Sequence, residues 1–193
     1  MSRSASRSLS PPLAPPRQEA TIATTQESPP SVTASVAPLP IDALPESILR
    51  ELRSDHAGEL GAVWIYRGIL AVSRDAEVRA FAAQHMAAEA GHLAFFEDRL
   101  PSRWHTRLAP LWRLAGWLLG AGPALLGPAA VYRTITAVES FVDEHYSLQI
   151  EMLAAHPGHG WLREHLQGFR DDELEHRDDA ARRAGPVAGD AAA

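Results

Sequence analysis

The chain has no cysteine among its 193 residues. It can therefore form no disulfide bond, offers no thiolate to a metal ion and carries no cysteine nucleophile. A metal ion would have to be bound by carboxylate and imidazole groups, and the chain has 24 acidic residues and nine histidines that could do so. Its length suits one modest domain with a buried core.

The chain also lacks a cluster of basic residues, and its formal net charge is −6. This balance argues against general binding of nucleic acid or of anionic lipid. No segment alternates apolar and polar residues between turn signals, as a half-buried strand would, and none resembles the apolar core of a secretory signal. These absences predict an all-α protein.

Both ends of the chain lack the periodic apolar spacing of a folded segment. Residues 1–43 are rich in Ser, Pro, Ala and Thr, and such a segment buries too little apolar surface to offset the entropy lost on folding. We predict a disordered tail over residues 1–43 and a flexible end over residues 186–193. The first 18 residues hold three arginines and no acidic residue, but a solvated linker is favoured over a transit peptide.

The intervening residues 44–185 carry the signals of long helices. Pro45 suits the first position of a helix, and either Ser73 or Asp75 can cap the second one. An interruption of the first helix is expected near Asp55. The four long helices are predicted over residues 45–73, 75–100, 128–155 and 160–183.

No charged residue occurs between Leu114 and Tyr132, a length that approaches a membrane span. Four glycines and two prolines argue against one straight helix here, so we predict a helix that ends near residues 120–122 and a restart at Pro128. The wider segment, residues 104–132, mixes Trp and Leu with Arg and suits a helix in a membrane interface. Packing in the protein core or in a dimer interface is an equally good interpretation of the sequence.

Two of the predicted helices each carry a Glu three residues before a His. Glu89 and His92 stand in "HMAAEAGHLAFF", and Glu173 and His176 stand in "FRDDELEHRDDA". Residues three apart lie on one face of a helix, so each pair can reach the same metal ion. A single Glu-x-x-His is common on helix surfaces, whereas two of them in one chain favour a metal site.

Each of these pairs is preceded by a lone Glu on an earlier helix. Glu59 precedes Glu89 by 30 residues, and Glu139 precedes Glu173 by 34. The lone glutamates have small or apolar neighbours, in "AGELGAV" and "TAVESFV", where an unpaired carboxylate would be costly. The chain thus divides into two similar halves, each with one Glu on its first helix and a Glu-x-x-His on its second.

The two halves also share a tyrosine. Tyr66 and Tyr146 each follow the lone Glu of their helix by seven residues and so lie on the same face as that Glu. Four helices that supply four Glu and two His form the ligand set of ferritin-like di-iron carboxylate bundles. Carboxylates bridge metal ions well, and imidazole suits Fe(II). We predict two iron ions per chain, with Glu139 as a bridging ligand, bound by Glu59, Glu89, His92, Glu139, Glu173 and His176.

Further polar residues are candidates to support these ligands. A ligating His usually donates its free N–H to a carboxylate, and three acidic residues lie one turn from a predicted ligand. They are Asp55, Asp143 and Asp172. His145, beside Tyr146, can face the site or an adjoining helix. The other histidines show no partner pattern and are interpreted as ordinary: His56, His85, His105, His156, His159 and His165.

Four segments carry a family resemblance: "LRSDHAGELGAVWIYRGIL", "PLWRLAGWLLGAGPALLG", "AVESFVDEHY" and "FRDDELEH". They resemble the demethoxyubiquinone hydroxylase family, the di-iron monooxygenases of ubiquinone biosynthesis. The resemblance runs from about Leu49 to Gly185, and "DHAGE" followed by "IY" is specific to that family. The ligand positions of the family fall on the residues predicted above as metal ligands. Its Tyr and His–Tyr positions fall on Tyr66, His145 and Tyr146, which the resemblance places near the metals as candidate catalytic residues.

The resemblance implies that a 2-polyprenyl-3-methyl-6-methoxy-1,4-benzoquinol is hydroxylated at its one free ring carbon, with O2 as the oxygen source. It also implies a peripheral position on a membrane, because the polyprenyl substrate resides in the bilayer. That membrane would be the cell membrane, on its cytoplasmic face, in a bacterium and the mitochondrial inner membrane in a eukaryote. An electron donor is required, either NADH or a reductase. Contacts with other ubiquinone-biosynthesis proteins and a homo-oligomer stay open, and nucleic acid is not expected as a partner.

Three residues depart from the family pattern, and we expect them to narrow or redirect the substrate channel: Trp64, Tyr132 and Arg133. The alternative function is a ferritin-like iron-oxidising or iron-storage protein without an organic substrate. Such proteins assemble into polar shells, so the apolar residues 104–132 disfavour it. A third interpretation is a non-catalytic accessory bundle at the membrane, and the complete ligand set argues against it.

Overall fold

The computed structural model describes residues 39–185, and this part of the chain is all-helical. Single-turn 3₁₀ helices at residues 41–43, 102–104 and 157–159 precede or connect the α-helices. The α-helices are α1 (Glu46–Val72), α2 (Ala76–Arg99), α3 (Ala109–Leu126), α4 (Pro128–Leu153) and α5 (Gly160–Ala184). The all-α prediction is confirmed for the described residues. Most of the predicted tail and all of the predicted flexible end lie outside them.

Helix α2 begins and ends where the sequence predicts. The carboxylate of Asp75 caps its first turn and accepts hydrogen bonds from the backbone N–H groups of Glu77 and Val78, both at 2.9 Å. The helix ends one residue before Leu100, because the proline ring at position 101 disfavours helical backbone at the residue before it. Both boundaries therefore follow from local sequence.

Helix α1 is continuous across Asp55, so the predicted interruption there is wrong. The side chain of Asp55 is buried, and its carboxylate accepts hydrogen bonds from His145 and Gln149 of α4. A carboxylate in the middle of a buried helix face is tolerated because a neighbouring helix supplies its partners.

Helices α1 and α3 approach each other closely, and glycines make the approach possible. A Cβ atom on Gly116 of α3 would clash with the carbonyl of Gly61, and one on Gly120 would clash with the carbonyl of Ile65. These glycines therefore serve the contact between two helices and do not end one.

Helix α3 continues to Leu126, so the predicted end near residues 120–122 is wrong. Pro123 lies in the last turn of α3, where its missing N–H removes only one backbone hydrogen bond. The chain turns at Gly127, whose φ of 106° falls in the region that favours glycine, and α4 begins at Pro128 as predicted.

Helix α1 packs against α2 and α3, and α4 packs against α5. Two apolar clusters fill the space between α1, α2, α4 and α5. The first includes Leu52, Phe96, Ile150 and Leu166, and the second includes Ile65, Phe81, Ile135 and Ala180. Along each of these four helices, the candidate Glu ligand lies between the residue in the first cluster and the residue in the second.

Residues 39–43, which the sequence assigned to the tail, pack against the helices. The N–H of Leu39 donates to the carbonyl of Gly158 at 3.0 Å. The side chains of Ile41 and Leu44 are buried in the first apolar cluster. These two apolar residues explain why the end of the predicted tail packs against the helices.

The outer face of α3 carries large apolar side chains that remain exposed in the described part of the chain. They are Leu111, Trp112, Leu114, Leu118, Leu119, Leu125 and Leu126. Packing of this face in the protein's own core is therefore excluded within residues 39–185. Among the described helices, none combines the length and the apolar character that a membrane crossing requires.

Candidate metal centre

The predicted metal ligands come from four helices and meet in one buried site. Helices α1 and α4 each supply one Glu, and α2 and α5 each supply a Glu and a His one turn apart. This spacing directs the Glu and the His of one helix to the same interior point. All of these side chains are buried: Glu59, Glu89, His92, Glu139, Glu173 and His176.

The site contains two overlapping groups, each with three carboxylates and one imidazole. Within a group, one ligand atom from each residue lies within 4.8 Å of the others. Glu89 and Glu173 belong to both groups. The first group is completed by Glu59 and His92, and the second by Glu139 and His176.

Two metal ions in these groups would share Glu89 and Glu173. Those two residues therefore occupy the position of bridging carboxylates. The sequence predicted that role for Glu139, but Glu139 belongs to one group only. Each shared Glu lies one turn from the His of its own helix. The unshared Glu of each group, Glu59 or Glu139, comes from a different helix.

Both imidazoles turn Nδ1 toward the carboxylates. His92 Nδ1 lies 3.3 Å from Glu173 Oε1 and 3.6 Å from Glu59 Oε2. His176 Nδ1 lies 3.1 Å from Glu89 Oε1 and 3.4 Å from Glu173 Oε2. None of these contacts has hydrogen-bond geometry, so both Nδ1 atoms and three of these oxygens are buried without a hydrogen-bond partner. Buried polar groups are rarely left in that state, and facing carboxylate and imidazole donors fit divalent metal ions.

Asp172 orients one of the two imidazoles. His92 Nε2 lies 3.0 Å from Asp172 Oδ2, and a proton held there leaves Nδ1 free to bind a metal. The sequence associated Asp172 with His176 on the same helix, and this assignment is wrong because the side chain reaches across to α2. The ring of His176 instead packs edge-on against His85, with ring centroids 4.2 Å apart.

The two tyrosines each contact the Glu of the other helix. Tyr66 on α1 donates a hydrogen bond to Glu139 Oε1 on α4, at 3.2 Å. Tyr146 on α4 donates one to Glu59 on α1. Burial raises the pKa of both phenols well above the ordinary value, and the neighbouring carboxylates add to the shift. Both tyrosines therefore stay protonated donors at neutral pH.

Protons accumulate among the carboxylates when no metal is bound. Burial raises the pKa of Glu89 and Glu139 well above the ordinary value, and repulsion by the charge of Glu173 adds to the shift. Burial alone would lower the pKa of His92, but the adjacent carboxylates outweigh it and raise this pKa to about 11. Burial also acts to raise the pKa of Glu173, but contacts with both histidines outweigh it and lower this pKa to about 2.

A cavity of about 330 Å³ extends from the carboxylates to the surface between α1, α3 and α4. Glu59, Glu139 and Tyr146 form part of its wall, and Trp112 and Phe141 line it where it meets the surface. Small residues on α1 and α3 leave the space open: Gly58, Gly61, Ala62, Ala115 and Gly116. A largely apolar cavity with a few convergent polar groups is typical of a ligand site.

Asp55 and His145 line the same cavity. Asp55 Oδ1 accepts hydrogen bonds from His145 Nε2 at 2.9 Å and from Gln149 Nε2 at 2.7 Å. Burial raises the pKa of Asp55 to about 6, and contact with Asp55 raises the pKa of His145. Neither residue makes a hydrogen bond to a candidate ligand, so the predicted supporting role of Asp55 is replaced by a place in the cavity wall.

Asp143 does not support a ligand either. Its carboxylate accepts a hydrogen bond from Arg170 at 2.6 Å and lies 3.5 Å from Arg177. Both arginines belong to α5, so Asp143 joins α4 to α5 on the outside of the site. The sequence spacing was correct, but one turn along α4 brings the side chain to the boundary between two helices.

Sequence reasoning missed two buried residues near the site. His85 was interpreted as ordinary, yet it packs against His176 and its Nε2 lies 3.3 Å from Asp179. It precedes His92 by seven residues, and this two-turn spacing was a usable signal. Gln149, three residues after Tyr146, had a similar signal and was not singled out.

Two of the three departures from the family pattern do not line the cavity. Tyr132 is buried in the second apolar cluster, edge-on to Phe81 with ring centroids 5.1 Å apart. The Trp64 ring lies under the guanidinium of Arg67 at 4.7 Å. Only Arg133 lies near the cavity, in a shallow groove just outside it. The expectation that Trp64 and Tyr132 narrow the channel is therefore wrong.

Comparisons with known proteins agree with these features. Residues 46–189 match the model of the family described as ubiquinone biosynthesis protein COQ7. The 3-demethoxyubiquinol 3-hydroxylase of Rhodospirillum rubrum is 43% identical over 144 residues, which cover 72% of this chain and 67% of the relative. The mitochondrial NADPH-dependent 3-demethoxyubiquinone 3-hydroxylase of Rattus norvegicus is 39% identical over 131 residues, 66% of this chain and 60% of the relative. The mitochondrial 5-demethoxyubiquinone hydroxylase of Saccharomyces cerevisiae is 34% identical over 148 residues, 68% and 64% respectively.

Proposed function

Because the chain belongs to the ubiquinone biosynthesis protein COQ7 family, we propose that it is a di-iron monooxygenase that hydroxylates a demethoxyubiquinol with O2. The substrate would be 2-polyprenyl-3-methyl-6-methoxy-1,4-benzoquinol. The observation that carries this proposal is the contact between the two overlapping ligand groups and one apolar cavity. The bacterial and mitochondrial relatives are named as demethoxyubiquinol or demethoxyubiquinone hydroxylases, which supports the same reaction.

The proposed architecture is a ferritin-like four-helix bundle made of α1, α2, α4 and α5. Its support is the supply of four Glu and two His from those four helices, the ligand pattern of di-iron carboxylate bundles. Helix α3 is an addition that packs on the outside of α1.

Two iron ions would be held by the six candidate ligands, with Glu89 and Glu173 in the shared positions. When bound, the ions supply the electrons and the open coordination positions that reduction of O2 requires. Asp172 holds a proton on His92 Nε2, so Nδ1 stays available. Tyr66 holds the carboxylate of Glu139 in place from the opposite helix. These contacts fix the ligand positions before the metal binds.

The cavity would hold the benzoquinol ring beside the metal ligands. Its largely apolar wall suits the ring, and its polar groups include the carboxylates of candidate metal ligands. The polyprenyl tail would leave past Trp112, Leu119 and Phe141, which line the cavity and are exposed at the surface. The ring can therefore be bound inside the protein while the tail stays in an apolar phase.

We propose that the outer face of α3 docks on the surface of a membrane. The support is the row of exposed leucines on this helix, which includes Leu118, Leu125 and Leu126, the last 82% exposed. The same face borders the mouth of the cavity at Leu119. Docking there would let a lipid-dissolved quinol enter without crossing water.

The electron source is proposed to be a reduced nicotinamide. The mammalian relatives are named as NADPH-dependent hydroxylases, which supports the proposal. The alternative of iron oxidation without an organic substrate gains no support from the site, because it gives no use to an apolar cavity in contact with the ligands.

Expression in a bacterial strain that lacks its own demethoxyubiquinone hydroxylase tests the proposal. The chain should restore ubiquinone and remove the accumulated demethoxyubiquinone from lipid extracts. Glu173→Ala should not restore it, and Glu164→Ala, on the exposed face of α5, should behave as the unaltered chain. A well-expressed chain that leaves the demethoxyubiquinone level unchanged would contradict the proposed function.

A further inference from the structure

One oxygen atom in the cavity wall has no partner and no role in the metal site. Asp55 is 4% exposed, and its Oδ1 accepts hydrogen bonds from both His145 and Gln149. Its Oδ2 is buried and makes no hydrogen bond to any described residue. Asp55 is also part of the wall of the cavity. The partner of Oδ2 is therefore expected to be a molecule in that cavity.

The surroundings of Asp55 give its carboxylate a fixed orientation. Gln149 and His145 both come from α4 and both approach Oδ1, so the carboxylate cannot rotate without the loss of two hydrogen bonds. Rotation is also opposed by burial, since a buried oxygen that loses its partner carries a large free-energy cost. Oδ2 is thus a pre-positioned hydrogen-bond acceptor.

His145 connects this carboxylate to solvent. Its Nε2 lies 2.9 Å from Asp55 Oδ1, and its side chain keeps 27% of its surface exposed. One proton fits between Asp55 Oδ1 and His145 Nε2, and a second nitrogen on the ring can exchange protons with water. The pair can therefore accept a proton from the cavity side as His145 releases one to solvent.

We propose that Asp55 accepts a hydrogen bond, and then the proton, from a phenolic hydroxyl of the bound quinol, and that His145 passes a proton on to water. This inference rests on the proposed function, because it takes a benzoquinol as the occupant of the cavity. The O–H bond of the quinol breaks and an O–H bond forms at Asp55 Oδ2. His145, protonated at both ring nitrogens, releases its Nδ1 proton to water and keeps its Nε2 proton in the hydrogen bond to Asp55 Oδ1. The quinol becomes a quinolate, whose ring is richer in electrons and more readily attacked by an electrophile.

The groups that face this pair favour proton exchange close to neutral pH. Burial raises the pKa of Asp55 to about 6, contact with His145 opposes that rise, and the charge of Glu59 on the same helix adds to it. The hydrogen bond to Asp55 raises the pKa of His145, burial opposes this rise, and the charges of Asp55 and Glu51 add to it. An acceptor with a pKa near the working pH is the kind that serves general base catalysis best.

Ligand-binding measurements distinguish a role of Asp55 in binding the phenolic hydroxyl from a purely structural role. The probe is a methoxy-methylphenol, which carries one hydroxyl and resists autoxidation, and its partner is the methyl ether of the same ring. The anaerobic, iron(II)-loaded chain should bind the phenol about tenfold or more tightly than the ether, because a hydrogen bond to a charged acceptor is gained. This preference should increase as the pH rises through about 6, where Asp55 ionises.

Asp55→Asn should reduce the preference for the phenol at least fivefold and remove its dependence on pH. The control is Asp98→Asn, an exposed Asp of α2 paired only with its neighbour Arg99, and this variant should retain both. The same titrations on the metal-free chain should rank the phenol preferences of the variants in the same order, since the hydrogen bond needs no iron. Thermal unfolding of each variant identifies any general loss of structure.

His145→Ala supplies a second, independent measurement. It leaves Asp55 in place, so the preference for the phenol should persist, whereas kcat for quinol hydroxylation should fall at least tenfold with little change in KM. Added imidazole should restore part of the lost kcat, because it can occupy the vacated space beside Asp55 and carry the proton. An inert ring with only a structural role gives no such rescue.

The inference would be overturned by an Asp55→Asn variant that keeps the wild-type phenol preference and its pH dependence. Loss of His145 without any effect on kcat would remove the proton path. These results are distinct from failure of the proposed function, which appears as the absence of a hydroxylated product from the wild-type chain. The binding titrations decide the role of Asp55 in either case.

Discussion

Tyr66 on α1 donates a hydrogen bond to the carboxylate of Glu139 on α4, with 3.2 Å between the two oxygens. The reciprocal bond runs from Tyr146 on α4 to Glu59 on α1. Each tyrosine thus donates its hydrogen bond to the lone Glu of the other half of the chain. The two halves found in the sequence are joined at the site by this exchange, which ties the unshared ligands of both groups to the opposite helix.

Replacement of either tyrosine by Phe should destabilise the metal-free protein by about 1–3 kcal/mol, because a buried carboxylate oxygen loses its donor. Tyr66→Phe and Tyr146→Phe should behave alike in denaturant unfolding. Tyr132→Phe is the matched control, since Tyr132 lies in the apolar core and donates to no carboxylate of the site. Equal losses in all three variants would show that the exchanged hydrogen bonds have no special weight.

Iron stoichiometry tests the shared position of two glutamates. Anaerobic Fe(II) titration of the metal-free chain should saturate at two equivalents, one for each group of ligands. Glu173→Ala should remove both, because Glu173 belongs to both groups, whereas Glu139→Ala should keep one. Glu151→Ala, an exposed Glu at the end of α4, should bind as the unaltered chain does. Retention of two equivalents in Glu173→Ala would remove that residue from the centre.

Metal affinity should increase with pH. The folded pKa values of Glu89, Glu139 and His92 all lie above their ordinary values, so the metal-free site retains protons that a metal must displace. These protons also stabilise the metal-free fold. That contribution is complete at low pH and is lost as the pH rises through the raised values.

Fe(II) titrations between about pH 6 and pH 7.5 measure this effect directly. The apparent affinity should rise over this interval, and the thermal shift caused by Fe(II) should grow with it. Glu173 has the opposite effect on the stability of the metal-free fold, because its pKa is lowered to about 2. Its contribution to that stability is constant at pH values above the ordinary pKa of 4.5. An affinity that is independent of pH would show that the site is already deprotonated.

The apolar face of α3 should bind membranes peripherally. Sedimentation with liposomes should be strong for the unaltered chain and lost in the double variant Leu118→Glu, Leu125→Glu, because charge is introduced on two exposed positions of this face. Leu148→Glu changes an exposed Leu of α4 and should sediment normally. High salt or mild detergent should release part of the bound protein. Full solubility of the unaltered chain in the presence of liposomes would contradict the proposed docking.

Local sequence rules account for the part of the fold that could be predicted. The cap at Asp75 and the start of α4 at Pro128 follow from residue types whose effect is confined to one turn. The wrong predictions concern residues whose role is set by another helix. Gly120 looked like a helix end but makes room for α1, and Asp55 looked like a break but is satisfied by α4.

In the candidate site, too, features set within one helix could be predicted, and features set by contact between helices could not. Spacing along one helix identified the Glu-x-x-His pairs and the lone glutamates, because a shared face is a property of a single helix. Spacing could not identify which carboxylates are shared, nor that Asp172 reaches His92 on another helix. Those relationships depend on how the helices face one another, and the sequence of one helix does not contain that information.

The fate of labelled oxygen distinguishes quinol hydroxylation from iron oxidation. Iron-loaded chain should be reduced and mixed with a short-chain demethoxyubiquinol and ¹⁸O2, and the ring should be analysed by mass spectrometry. One labelled oxygen is expected on the free ring carbon, formed by the unaltered chain and not by Glu173→Ala. Consumption of O2 and Fe(II) at the same rate with or without quinol, with no labelled ring product, would contradict this expectation and favour iron oxidation as the function.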